Sequence, residues 1–216
     1  MVNVLELRNY LLKPGTLPAF HRYFNTHFVE PMAVLGGHTL GQFSTEDTAD
    51  RFVWLRGFAN MDQRMQFLND FYCDSDTWKN FGPGANNMMI NSDNVYLLRP
   101  LFPGKILPAI TGKYMVIDFY TCNSTREQVV DLFNEAWMPL LASNNIYPSL
   151  WISEMEENKF PRLPVFQDKN LLVSFTSFYD KKEYEAAYAH CSIPPALHDA
   201  MQSLITTQSR LLLNSL

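Results

Sequence analysis

The chain states one structural phrase twice, and a repeat of this size limits the available folds more than any single residue does. Pro31 to Glu46 reads PMAVLGGHTLGQFSTE, and Pro139 to Glu154 reads PLLASNNIYPSLWISE. Each runs from a proline through the end of a helix, over Gly36-Gly37 or Asn144-Asn145, into an aromatic-bearing strand that closes on glutamate. Glycine and asparagine accept the left-handed conformation at which helices stop.

The order of elements around these phrases repeats too. In the first pass, Val4 to Tyr10 alternates with period two as a strand does. Thr16 is placed to cap a helix carrying Leu17, Phe20, Phe24 and Phe28 on one stripe. His38 to Glu46 and Arg51 to Phe58 read as hairpin strands around a polar loop. Asn60-x-x-Gln63 opens a second helix, expected to run to about Tyr72, followed by a Gly/Asn-rich loop from Gly82 to Asn91 and a strand from Asn94 to Arg99. In the second pass Tyr114 to Thr121 is a strand, Ser124-x-x-Glu127 a capping box, Ser149 to Glu154 and Leu171 to Phe178 the hairpin strands, and Asp180-x-x-Glu183 a second cap. Pro194-Pro195 breaks that helix, and a short helix over Ala196 to Leu204 leads to a closing strand at Ser209 to Leu213. The expected organisation is a module over 1–100, a Pro/Gly-bearing linker over 101–112 and a divergent second module over 113–216.

Each pass has the β-α-β-β-α-β order of a ferredoxin-like unit, an α+β design with one antiparallel sheet and both helices on one of its faces. The other face needs a cover. Two copies in one chain supply it if sheet faces sheet as an intrachain dimeric α/β barrel of roughly eight strands. The alternative is two modules side by side, each covering its sheet otherwise.

Composition narrows the function classes. Of 216 residues 47% are hydrophobic, 18% charged and 14% aromatic, which suits a packed core. A net charge of −5 without any basic run argues against a nucleic-acid partner or a cationic membrane patch. Glu6 and Arg8 interrupt the first apolar stretch, so it is not a secretion signal, and no apolar run approaches the roughly 18 residues of a membrane span. Three scattered cysteines without a C-x-x-C fit reduced thiols in a cytoplasmic protein. The five histidines lack metal-ligand spacing, and no nucleophile-elbow or phosphate-loop pattern occurs.

At Glu6-Leu7-Arg8-Asn9-Tyr10, followed by Lys13-Pro14-Gly15, the chain resembles the opening E-L-R-x-Y…K-P-G of the NIPSNAP family. Gly36-Gly37, Val53-Trp54-Leu55-Arg56, Asp76-Thr77-Trp78 and Leu97-Leu98-Arg99-Pro100 extend the likeness over residues 1–100, whereas residues 113–216 match in pattern only. The resemblance implies the dimeric α/β-barrel superfamily, which includes cofactor-free monooxygenases, isomerases and haem-binding enzymes.

Strand alternation puts Leu5 and Leu7 on one face and Glu6, Arg8 and Tyr10 on the other. The apolar set is expected to meet the helices and the polar set to point into the barrel, joined by Trp54 and Arg56. In the second module Val173 and Phe175 are expected toward the helices, with Asp118, Tyr120, Ser174 and Thr176 inward. His38 begins the second strand at the expected pocket mouth. These residues form a candidate pocket in which Arg8 and Arg56 hold an anion and Asp118 serves as counter-ion; the plainer reading is a Glu6–Arg8 or Glu6–Arg56 ion pair fixing adjacent strands. Loops 82–91 and 156–168 are the candidate lids.

The leading functional expectation is a protein that binds an anionic or polar small molecule in the barrel interior, or a cofactor-independent enzyme acting there. The rival is a non-catalytic protein–protein interaction module filled by its own side chains. Haem binding follows from superfamily analogy alone; no metal or other cofactor is expected, and self-association into a homo-oligomer is common in that superfamily.

Overall fold

The computed structural model describes residues 2–102, 113–123 and 125–216. Most of the expected linker, and Ser124 of the second capping box, lie outside the described residues. The chain divides into two compact units: Met1–Arg99 with Glu154–Gln167 and Asn214–Leu216, and Pro100–Ser153 with Asp168–Leu213.

The first unit contains β1 (Val4–Leu12), α1 (Leu17–Phe24), α2 (Glu30–Val34), β2 (His38–Thr45), β3 (Arg51–Phe58), α3 (Met61–Asn69), α4 (Asp76–Met88), β4 (Met89–Asn91) and β5 (Val95–Pro100). Its main strands lie in the order β5-β1-β3-β2, all antiparallel. The second unit contains β6 (Tyr114–Cys122), α5 (Arg126–Leu132), α6 (Met138–Ser143), β7 (Ser149–Ser153), β8 (Leu171–Phe178), α7 (Lys181–Ala189), α8 (Pro195–Leu204) and β9 (Ile205–Ser215), with strand order β9-β6-β8-β7. Both sheets have the fourth strand of the module beside the first, then the third and the second. This is the ferredoxin-like arrangement expected of a βαββαβ unit.

Local chemistry explains the element ends. Gly36 (φ +88°) and Asn145 (φ +58°) both take the left-handed conformation at the close of their helices, the role the repeated phrase assigns them. Asn60 accepts from the Gln63 amide, and Asp180 from the Glu183 amide, as N-caps. Thr16 caps nothing with its side chain; its hydroxyl donates to the Lys13 carbonyl instead. A π turn precedes α2 at Asn25–Val29, and another precedes α6 at Phe133–Trp137. Pro31 and Pro139 follow these turns. Proline has no N–H and its ring crowds the carbonyl four residues back, and the widened turn relieves that conflict.

The expected loop over 82–91 is instead the end of α4 and the short β4. After a π turn at Asp70–Asp74, Ser75 recaps the chain by accepting from the Trp78 amide, and the helix continues to Met88 through Gly82-Pro83-Gly84. The glycines serve packing here. A Cβ on Gly82 would stand 2.8 Å from the Trp78 ring, and one on Gly84 would strike the Tyr23 hydroxyl. Among the described residues no helix is long and apolar enough to cross a membrane.

Candidate functional site

Alternation grouped the polar residues of β1 and β3 correctly but assigned them the wrong face. Tyr10 and Trp54 pack against Phe20, Phe24, Phe28 and Met32 of the first helical layer and Phe67, Leu68 and Phe71 of the second. Glu6, Arg8 and Arg56 share that face. Leu5, Leu7, Val53 and Leu55, expected toward the helices, occupy the opposite one. Period two establishes which residues share a face, not where that face points. The usual tie-breaker, that the apolar face meets the helices, fails because both faces of β1 are buried almost end to end. The second unit repeats the inversion: Tyr120, Leu172 and Phe178 pack on Phe133, Trp137 and Leu141, so Asp118, Ser174 and Thr176 face helices, and Val173 and Phe175 do not.

Glu6 is the centre of the first site. It stands directly opposite Arg56 in the β1–β3 register and is fully buried. Arg56 Nε (2.8 Å) and Arg8 Nη1 (2.9 Å) donate to its Oε2, and so does Arg56 Nη2. Arg64, from α3, donates Nε to Oε1 at 2.7 Å. All three guanidiniums are at most 2% exposed, so one carboxylate answers three cations. Burial alone would push the Glu6 carboxyl up; Arg56, Arg64 and Arg8 together outweigh it and hold the group far below the usual carboxylate range. Burial wins at Arg64, whose guanidinium is pulled below its ordinary value despite Glu6.

Aromatic rings surround the surplus charge. Arg56 lies 4.8 Å from the Phe67 ring centre and 5.2 Å from that of Trp54; Arg8 lies 5.6 Å from Trp54. Arg8 Nε donates to the Tyr10 hydroxyl at 2.8 Å, and Arg56 Nη1 to that of Tyr72 at 3.2 Å. Tyr10, Trp54, Tyr72 and Met32 also line a cavity of about 30 Å³, together with Phe24, Phe28, Trp78 and Met89. Trp54 Nε1 and Arg64 Nη2 are buried without a hydrogen-bond partner among the described residues.

The structure thus brings together Glu6, Arg8, Tyr10, Trp54 and Arg56, and the ion pairs of the plainer reading are present. His38 is exposed at the start of β2, opposite Gly57, outside this cluster. Asp118 is not the missing counter-ion: it takes a two-pronged pair from Arg210 of β9, at 2.6 and 3.0 Å. Tyr120 belongs with it in the second unit, its hydroxyl pushed up by burial and by Asp118.

Residues that sequence reasoning passed over are Arg64, Tyr72 and Asn158. A signal for the first existed: once Asn60 fixes the helix start, Met61, Arg64, Phe67, Leu68 and Phe71 share one stripe, and only Arg64 is polar. Asn158 comes from the loop between the second hairpin's strands. Its side-chain oxygen accepts from Arg64 Nη1 at 2.9 Å, and its neighbour Phe160 is buried in the first unit's core. This segment, expected as a lid at a barrel end, instead supplies a hydrogen bond and a core side chain within the first unit.

A NIPSNAP profile matches residues 5–102. No curated protein is significantly similar to the chain. Among solved structures, a candidate monooxygenase from Fusobacterium nucleatum aligns at TM-score 0.64 with 10% identity, over 100% of this chain and 93% of its own. One from Lactobacillus acidophilus aligns at 0.62 with 9% identity, over 100% and 94%. An anthrone oxidase-like protein aligns at 0.57 with 9% identity, over 100% and 92%. Likeness at such identities shows the fold alone: α+β, tandem ferredoxin-like modules of the dimeric α/β-barrel class. The E-L-R-N-Y opening on β1, whose Glu6 and Arg8 hold the centre of the cluster, lies within the matched segment, and the first module of the chain is a NIPSNAP domain.

Proposed function

We propose that the first module binds a small anionic molecule in the layer between its sheet and its helices. The observation that carries this reading is the imbalance of three buried guanidiniums against one buried carboxylate. A buried uncompensated cation is costly, and an incoming anion relieves that cost. Arg8 and Arg56 supply the charge, and the rings of Tyr10, Trp54 and Tyr72 supply an apolar wall for the body of the ligand. At about 30 Å³ the cavity has the size of one water, so a ring-bearing ligand must displace the side chains of Met32 and Met89, the most adaptable of its walls.

The residues favour binding over proton abstraction. Glu6 already accepts four N–H bonds, which disarms it as a base, and no carboxylate or histidine lines the cavity. The neighbours described as candidate monooxygenases and as anthrone oxidase-like motivate a second reading. In it the same cations hold the oxyanion of an aromatic substrate.

Thermal unfolding tests the proposal with sodium benzoate, sodium salicylate and benzyl alcohol at one ionic strength. The two anions should raise the midpoint and the alcohol should not; ligand at a hundredfold excess over Kd adds about 2.7 kcal/mol. Arg8→Met, which leaves Glu6 two partners, should fold and lose most of the shift. Equal effects of the anions and the alcohol on the wild type would overturn the reading.

A further inference from the structure

The second unit has a much larger opening in its own helix–sheet layer. A cleft of about 470 Å³ is walled by Trp137, Tyr188, Ile193, Met201 and Ile205, with Gln202, Thr206 and Gln208 among its polar members. Its volume falls in the range of sites that take drug-sized molecules, roughly 300–1,000 Å³, and its mixture of aromatic walls with a few hydrogen-bonding groups is typical of them.

Charge separates this cleft from the site in the first module. Arg210, which also lines it, is balanced by Asp118, which is 3% exposed and holds the guanidinium with both oxygens. Arg210 also lies 4.9 Å from the Tyr188 ring centre and donates to the Tyr184 hydroxyl at 3.3 Å. Burial pushes the Tyr188 hydroxyl up to about 12 and raises the Cys191 thiol, so both are uncharged at neutral pH. Gln202 and His198, one turn apart on α8, share a 3.0 Å hydrogen bond at the rim. A charged ligand would therefore meet no unbalanced partner, whereas a flat uncharged one meets ring faces and amide groups.

We infer that this cleft is a second small-molecule site, selective for an uncharged planar aromatic molecule carrying a hydroxyl or carbonyl at its edge. Trp137 and Tyr188 supply ring contact, and Gln202 and Gln208 hydrogen-bond the edge. The site is independent of the anion-binding reading of the first module, since none of its residues belongs to that cluster.

The test uses the full chain with 2-naphthol as probe and 2-naphthoate as its charged counterpart, at pH 8. Calorimetry should show saturable binding of naphthol at one per chain, with naphthoate at least tenfold weaker. In methyl NMR spectra the naphthol-induced shifts should fall on Ile193, Met201 and Ile205, and leave Met32 and Met89 of the first module unmoved. Thr206→Trp, at an exposed rim position, should weaken naphthol at least tenfold by filling the cleft, and Gln202→Leu should weaken it severalfold without filling it. Absence of saturable naphthol binding, or shifts confined to Met32 and Met89, overturns the proposal. Naphthoate binding as tightly as naphthol overturns the assignment of an uncharged ligand.

Discussion

The two helix–sheet layers share one strand order and differ in what their second helical segment does. In the first unit α3, a π turn and α4 run from Met61 to Met88 with one recap at Ser75, burying Met61, Arg64, Phe67, Leu68, Phe71 and Ala85. In the second, α7 stops at Ala189, buries no residue, and gives way to a break at Pro194, after which Pro195 opens α8. The first layer leaves a cavity of only about 30 Å³ and holds two excess cations; the second leaves a cleft of about 470 Å³ and its cation is balanced. A duplicated fold kept its strands, caps and turns and diverged where one helix either covers the sheet or stops short. Space and charge diverged together. Within the first layer the excess cations are gripped by a carboxylate and rings; at the second layer's cleft the cation keeps 30% of its side chain in solvent.

The sharpest way to break this comparison is at the two carboxylates. Glu6→Gln leaves three buried guanidiniums without an anion and should cost about 3–5 kcal/mol, read by urea unfolding. Asp118→Asn frees Arg210 toward the cleft and should cost less, about 1–3 kcal/mol. Equal losses would mean the layers do not differ in this way. Glu6 also sets an acid limb. Its folded pKa lies below its unfolded value near 4.3, so its contribution is complete above roughly pH 5 and is lost as pH falls further. Glu6→Gln should flatten stability against pH between about 5 and 2.

Gly82→Ala probes the packing of the first layer. In an ordinary helix interior this change stabilises by up to about 1 kcal/mol. Here the new Cβ meets the Trp78 ring at 2.8 Å, and we expect a loss of ~1–3 kcal/mol in chemical denaturation. Asn158→Ala removes the acceptor of Arg64 Nη1 and should cost ~1–2 kcal/mol. Lys159→Ala, one residue on, breaks exposed pairs to Asp62 and Glu156 and should leave the unfolding midpoint unchanged within error.

The sequence revealed the fold better than the site. Caps at Asn60 and Asp180, left-handed stops at Gly36 and Asn145, and period-two strands are local chemistry, and local chemistry is written beside the residues it governs. The face of Glu6 was not legible, because nothing in β1 records what lies above and below it when both faces are buried. Gly82-Pro83-Gly84 reads as a loop because its purpose is the approach of Trp78 and Tyr23, which only the fold makes visible. Arg210 was hidden in an exposed, polar strand. Asn158 lies far from Arg64 along the chain, in a segment that reads from sequence as a candidate lid.

That segment also sets a timetable for synthesis. The first unit is finished by Phe160 in its core and by Leu216, whose amide donates to the Gln42 carbonyl. A ribosome adding roughly 5–20 residues per second needs on the order of five seconds to pass from Arg99 to Phe160. For that interval the nascent module presents Arg64 without Asn158 and a core without Phe160. The half made first is completed by residues made later, and a gene cut after Arg99 would encode a module that lacks part of its own interior.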